Sequence, residues 1–149
     1  MEMISLGYAN QTPWNCPRDI SEEDLAAKIS VLAGQLRRPE RSIFNFHVPP
    51  YDLGLDLAPA LDDEMTPVRS PSGEIIFSPV GSTAVRQAIE RYQPLLGLHG
   101  HIHEGQGIRT LGPTVVANPG SEYQESILHG VLIKWDKGRE KVKQQLVIG

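Results

Sequence analysis

The feature that most limits how this chain can fold is a repeated pattern, an apolar run that breaks off into histidine. "SIFNFH" ends at His47 and is followed by Val48, Pro49 and Pro50, whereas "LLGLHGHIH" carries His99, His101 and His103 at alternate positions. The two prolines lack backbone donors and so end the first run as a strand. Between the runs, "GSTAVRQAIERYQP" predicts a helix over 81–93, with Ser82 or Thr83 near its N-cap, Val85, Ile89 and Tyr92 on one face, and Pro94 closing it. A strand, a helix and a strand in this order predict a parallel pair joined by a crossover. Parallel neighbours finish on the same sheet edge, so His47 is expected near His101 despite their separation in sequence.

The remaining elements fit around this unit. Residues 1–20 contain Gly7, Asn10, Pro13, Trp14 and Pro17 with little periodicity and read as loop. A first helix is predicted from an N-cap at Ser21, with acids in its first turn, Leu25, Ile29, Leu32 and Leu36 on one face, Arg37 and Arg38 at its C-terminal end, and Pro39 stopping it. Residues 50–80 are rich in Pro, Gly and Asp, with "EIIF" alone resembling a strand; an irregular segment of this length is often functional or mobile. After the histidines, "GIRTL", "TVVAN", "ILHGVLIKW" and "VKQQLVIG" predict an antiparallel run of strands, with "LGP" and "DKGR" as turns. The fold class is therefore α/β, becoming β at the C-terminal end, within one domain spanning 1–149.

Composition excludes several functions. The net charge of −4 and the scattered basic residues give no nucleic-acid-binding patch, and the densest basic stretch, "KGREKVK" at 137–143, reads as a solvated hairpin face. No apolar run approaches the roughly 20 residues that span a bilayer, and the N-terminus lacks the basic start and apolar segment of a signal peptide. Cys16 is the sole cysteine, which rules out an intrachain disulfide and suits a reducing cytoplasm.

Neutral imidazole is a common ligand for zinc, manganese, iron and related ions. A lone histidine is more often a satisfied core or edge residue, as expected for His129, but three at alternate positions beside glycines favour a ligand or catalytic role. On an extended chain His101 and His103 face one side, and Gly100 lets the backbone turn sharply or approach a ligand. His99 belongs to the buried strand and is expected to orient a ligand through a hydrogen bond. Asn118, in "ANPGSEY", is readable as an ordinary turn residue.

"FNFHVPPY", "LLGLHGHIH" and "VANPGSEY", in this order and at these intervals, resemble the C-terminal half of the calcineurin-like metallophosphoesterases over roughly residues 40–135. The resemblance implies part of a two-sheet α/β/β/α sandwich, with two main helices followed by antiparallel strands. It also implies a phosphoester substrate and two divalent metal ions, of manganese, iron, zinc or nickel, with His47 and His101 on one ion and His103 on the other. His99, Gly100 and Asn118 would support these ligands.

Intact members of that family begin with Asp-x-His, Gly-Asp-x-x-Asp and Gly-Asn-His motifs, and none of these occurs in the 149 residues. The bridging Asp and the catalytic His that the family supplies are thus absent. Weak or no hydrolysis by this chain alone is expected, together with self-association or complementation by a separate N-terminal half. Two other readings stay open: a non-catalytic binding or scaffold half-domain, and a histidine-triad-like nucleotide hydrolase built on His99, His101 and His103.

Overall fold

The protein is described from a computed structural model covering residues 1–136 and 141–149. Residues 137–139 of the expected "DKGR" turn, and 137–140 of the basic stretch, lie outside the described residues. The structure is mixed α/β. Its main sheet has five strands in the order β1 (Glu2–Leu6), β4 (Ser42–Phe46), β7 (Leu96–Leu98), β9 (Thr114–Asn118) and β8 (Gly107–Leu111). The first four strands of that order run parallel, and β8 is antiparallel to β9 on the edge.

The crossover predicted from "SIFNFH" and "LLGLHGHIH" is present. Phe44 pairs with Gly97 in parallel register, and the helix α2 (Thr83–Tyr92) connects the two strands. Ser82 caps that helix by accepting a 3.1 Å bond from the Val85 amide, and Gln93 closes it in the left-handed conformation. Glu22, the first residue of α1 (Glu22–Ala33), reaches across to the same N-terminus. Its carboxylate accepts from Ser82 Oγ at 2.7 Å and from the amides of Thr83 and Ala84 at 3.1 and 2.9 Å. An anion there satisfies donors that the helix cannot satisfy itself and complements the helix dipole.

The core lies where these elements meet. Ile4, Phe44 and Phe46 on the sheet pack with Leu25 and Ile29 of α1 and Val85 and Ile89 of α2. Phe44 and Phe46, two residues apart and therefore on one face, place their rings 5.0 Å apart. Each large apolar side chain buried in this way contributes roughly 1.5–3 kcal/mol.

Several expectations are corrected. Residues 1–20 are not all loop: β1 pairs with β4 over five residues, and β2 (Ala9–Asn10) pairs in parallel with β3 (Asp19–Ile20). A five-residue strand of mixed polarity has too little alternation to announce itself, and its pairing with β4 is what orders it. The first helix ends at Ala33 and is capped by Gly34, so Arg37 and Arg38 lie beyond it. Leu36 still packs against the core beside the helical Leu32, because tight turns continue the chain in the same direction. The C-terminal strands are not purely antiparallel, since β9 returns beside β7 in parallel. The strands β10 (His129–Asp136) and β11 (Lys141–Ile148) form their own antiparallel pair.

Residues 50–80 also carry more order than their composition suggests. β5 (Leu57–Pro59) pairs with β6 (Phe77–Pro79), and isolated antiparallel bridges at Leu61–Pro67 and Arg69–Ile75 close two further turns between them. "EIIF" itself is only partly strand. Asp56, one of the acids of this segment, is fully buried. It accepts from the amides of Asp52, Leu53 and Gly81 at 2.8, 3.3 and 3.0 Å. Among the described residues no helix is long and apolar enough to cross a membrane.

Candidate functional site

Four parallel strands end on one rim of the main sheet, and the residues just past those ends form the site. Gly7 follows β1, His47 follows β4, His99 to His101 follow β7, and Asn118 ends β9. A crevice outside the carboxyl ends of parallel strands is where open α/β sheets generally bind ligands. His47 and His101 meet there, with His101 Nδ1 3.2 Å from His47 Nε2 and ring centroids 4.8 Å apart.

The main chain around each histidine is held from behind. His99 is buried, and its Nδ1–H donates to the carbonyls of Phe46 at 3.0 Å and Val48 at 2.9 Å, the residues on either side of His47. Asn118 is also buried. Its Nδ2 donates to the carbonyls of Gly100 at 3.3 Å and Ile102 at 2.9 Å, on either side of His101, and to that of Leu55 at 3.2 Å. Its Oδ1 accepts from the Gly120 amide at 2.9 Å. The two braces are linked, since the Gly100 amide donates to the His47 carbonyl at 2.9 Å.

This network corrects the extended-chain reading of "HGHIH". The strand stops at Leu98, and His101 adopts φ 65°, in the left-handed region that a non-glycine residue enters at a cost. The three histidines therefore do not line one face. His99 points into the protein, His101 meets His47, and His103 is exposed with its ring 5.5 Å from that of Tyr123. The alternating geometry that a histidine-triad hydrolase would use is not formed. Gly100 contributes through its backbone bonds, and a Cβ there would meet nothing within 4 Å.

His47 and His101 open onto a cleft of about 410 Å³ lined also by Gly7, Ala9, Cys16, Pro17, Arg18 and Asp19. The His47 imidazole is held below its usual pKa by desolvation first, then by the Arg18 guanidinium and His103. For His101 desolvation and then His47 lower the pKa, Asp19 opposes them, and His103 adds a further lowering. Desolvation lowers His99 to about 4, against the opposing hydrogen bonds to the Val48 and Phe46 carbonyls. All three are neutral near pH 7, the form in which imidazole offers a lone pair. Asp19 Oδ2 accepts from Thr12 Oγ1, from the Thr12 amide at 3.1 Å and from the Cys16 amide at 2.9 Å. Slight burial pushes its carboxyl upward, but these bonds and His101 outweigh that and lower it.

Two imidazole nitrogens, each about 2.0–2.1 Å from a shared ion at a tetrahedral angle, lie about 3.3 Å apart. The His47–His101 separation of 3.2 Å fits one divalent ion. Among the described residues, no group of three or more His, Cys, Asp or Glu is gathered as a full metal site. His103 makes no hydrogen bond or ring contact with the pair among the described residues, although it is near enough for its charge to lower both imidazoles. Instead it lines a second hollow, of about 340 Å³, with Glu104 and residues 121–125. His129, the half-buried first residue of β10, is satisfied at both nitrogens, accepting from Gln106 Nε2 at 2.6 Å and donating to Glu122 at 3.1 Å.

The sequence reading missed the contribution of residues 7–19 to the cleft. Their only signal was local, the small Gly7 and the rigid Pro17-Arg18-Asp19 stretch, and neither points to His47 without the β1–β4 pairing.

The fold and rim together define an α/β chain with a paired-histidine cleft. No family model matches the chain. It is 30% identical over 122 residues to the uncharacterized protein MJ1162 of Methanocaldococcus jannaschii, a match covering 80% of this chain and 48% of that protein. Two crystal structures share the fold. One has a TM-score of 0.55 at 20% identity, covering 96% of this chain and 48% of the other. The second, TT1561 of Thermus thermophilus, has a TM-score of 0.51 at 19% identity, covering 96% of this chain and 52% of the other. The chain spans about half the length of the proteins it matches.

Proposed function

We propose that this chain is half of a calcineurin-like metallophosphoesterase domain, contributing His47 and His101 to a divalent metal centre that hydrolyses phosphoester bonds. The observation that carries this reading is the 3.2 Å approach of His47 Nε2 to His101 Nδ1 at the carboxyl ends of two parallel strands. The two-sheet sandwich of that family belongs to the same proposal. Manganese, iron, zinc or nickel suits imidazole donors. Such an ion, when bound, polarises a phosphoryl oxygen and acidifies a bound water.

The chain's own residues have separate tasks. His47 and His101 present two neutral nitrogens to one point. His99 and Asn118 fix the backbone on both sides of each, so the pair is organised before a ligand arrives. The family assigns His103 to a second ion, and its place against Tyr123 makes it the member of the set that the geometry supports least. With no bridging carboxylate in the family's position, turnover by this chain alone is expected to be weak.

The test is metal content and calorimetric titration of the purified chain beside His101→Ala. Near-stoichiometric binding that weakens about hundredfold or more in the variant supports the centre. Weak binding that the variant leaves unchanged would sink it. Chelator-sensitive release of product from a phosphodiester or phosphomonoester would then separate a catalytic half from a binding module.

A further inference from the structure

Arg18 is a charged group of the cleft to which the histidine pair gives no task. It stands immediately before β3, and its carbonyl accepts from the Ala9 amide at 3.1 Å, which ties its backbone to the strand-like stretch beyond β1. Its side chain crosses the carboxyl end of β1. The guanidinium Nη1 lies 2.8 Å from where a Cβ on Gly7 would sit, so the bare backbone of Gly7 makes the room that it occupies.

Arg18 forms no ion pair among the described residues. One oxygen of the carboxylate next to it in sequence is engaged elsewhere, because Asp19 Oδ2 is taken by Thr12 and Cys16. Arg18 lines the same cleft as His47 and His101. A guanidinium without an ion pair among the described residues, in one cleft with two imidazoles, is an anion site in the making. Its planar donors match two oxygens of a phosphate, with a geometry that an ammonium lacks.

We propose that Arg18 is the phosphate-recognising residue of this cleft, holding a phosphoryl group of the substrate against the His47–His101 pair. The inference rests on the metallophosphoesterase reading and deepens it. It assigns the substrate a phosphoryl group with at least one anionic oxygen, and it gives the N-terminal segment a part in binding. A cleft of about 410 Å³ accommodates that group with part of its ester.

The experiment is a calorimetric titration of inorganic phosphate into the full chain, with and without saturating manganese, for the parent, Arg18→Ala and Arg18→Lys. Manganese is titrated separately into each. Arg18 is exposed, and matching thermal melts check that the variants fold. Arg18→Ala is expected to weaken phosphate binding about tenfold or more in both forms, and Arg18→Lys by less. Manganese affinity should stay within about twofold of the parent, because Arg18 donates no lone pair to an ion. Phosphate binding unchanged in Arg18→Ala, or absent from both forms of the parent, overturns the assignment. So does a loss of manganese affinity as large as the loss of phosphate affinity. A parent that takes phosphate through Arg18 but takes no manganese overturns the metal reading alone, so the two failures are distinguishable.

Discussion

The molecule holds its histidines in two different ways. At the rim of the parallel strands, His47 and His101 are positioned through their main chain, by a buried imidazole and a buried amide that bind the carbonyls flanking each. Around His103 and His129 the partners are side chains of the 106–125 region, with Tyr123 against one ring and Gln106 and Glu122 on the two nitrogens of the other. The second arrangement consumes the ring nitrogens of His129 and so leaves it little chemistry. In the first, His47 Nε2 and His101 Nδ1 pair with each other at 3.2 Å, a contact into which an ion fits, and no other protein group among the described residues takes them. Bracing from behind is what separates a candidate ligand from a satisfied structural histidine.

The comparison breaks most readily at Asn118. Its removal strands the Leu55 carbonyl and the Gly120 amide, and it leaves the Gly100 and Ile102 carbonyls with one bond each, from the amides of Ile102 and Gly105. Buried groups left without partners cost about 1–3 kcal/mol each, partly relieved by relaxation. Asn118→Ala is therefore expected to lower stability by about 3–5 kcal/mol in urea unfolding. Asn118→Asp sharpens the point. It keeps an acceptor for Gly120 but turns a carboxylate toward carbonyls, and a loss comparable to the alanine variant is expected. If both variants unfold at the parent's midpoint, the bracing contributes nothing.

His99 should show itself through acid. Its pKa of about 4 in the folded chain stands below the ordinary 6.5, so the unfolded chain takes up this proton first as the pH falls. The stability it contributes is complete above pH 6.5 and is lost as the pH falls toward 4, by roughly 3 kcal/mol. His47 and His101, lowered in the same direction, add to the same slope. His99→Gln is expected to lower stability at pH 7 by about 1–2 kcal/mol and to flatten the dependence between pH 6.5 and 4. Unfolding midpoints measured across that range decide it. A variant as acid-sensitive as the parent would mean that other groups carry the slope.

These contrasts also explain what the sequence could disclose. The strand–helix–strand crossover was legible, because Val85 and Ile89 keep helical spacing and Pro49, Pro50 and Pro94 mark its ends. The meeting of His47 with His101 followed from that topology. The turn at His101 did not, because alternation presumes an extended chain. Here the left-handed φ depends on carbonyls held by Asn118, far downstream. Gly105 was equally silent. Only the folded chain shows that a Cβ there would come within 2.1 Å of the Leu55 carbonyl oxygen, so that glycine alone permits the approach. Arg18 and Asp19 were hidden for the same reason: long-range pairing, and no local pattern, brings their segment to the cleft.

The smallest expected effect lies on the other side of the comparison. Glu122 is 57% exposed and accepts from His129 Nε2 at 3.1 Å. Water competes for the exposed carboxylate and side-chain entropy is lost in placing it, so the contact is worth little even though the His129 side chain is only 5% exposed. Glu122→Ala should shift the unfolding free energy by less than about 1 kcal/mol, and metal affinity should not change, since neither His47 nor His101 depends on it. A loss matching that of Asn118→Ala would remove the distinction between the two regions. The 121–129 turn would then stand among the supports of the fold, and main-chain bracing would no longer mark His47 and His101 as the pair to follow.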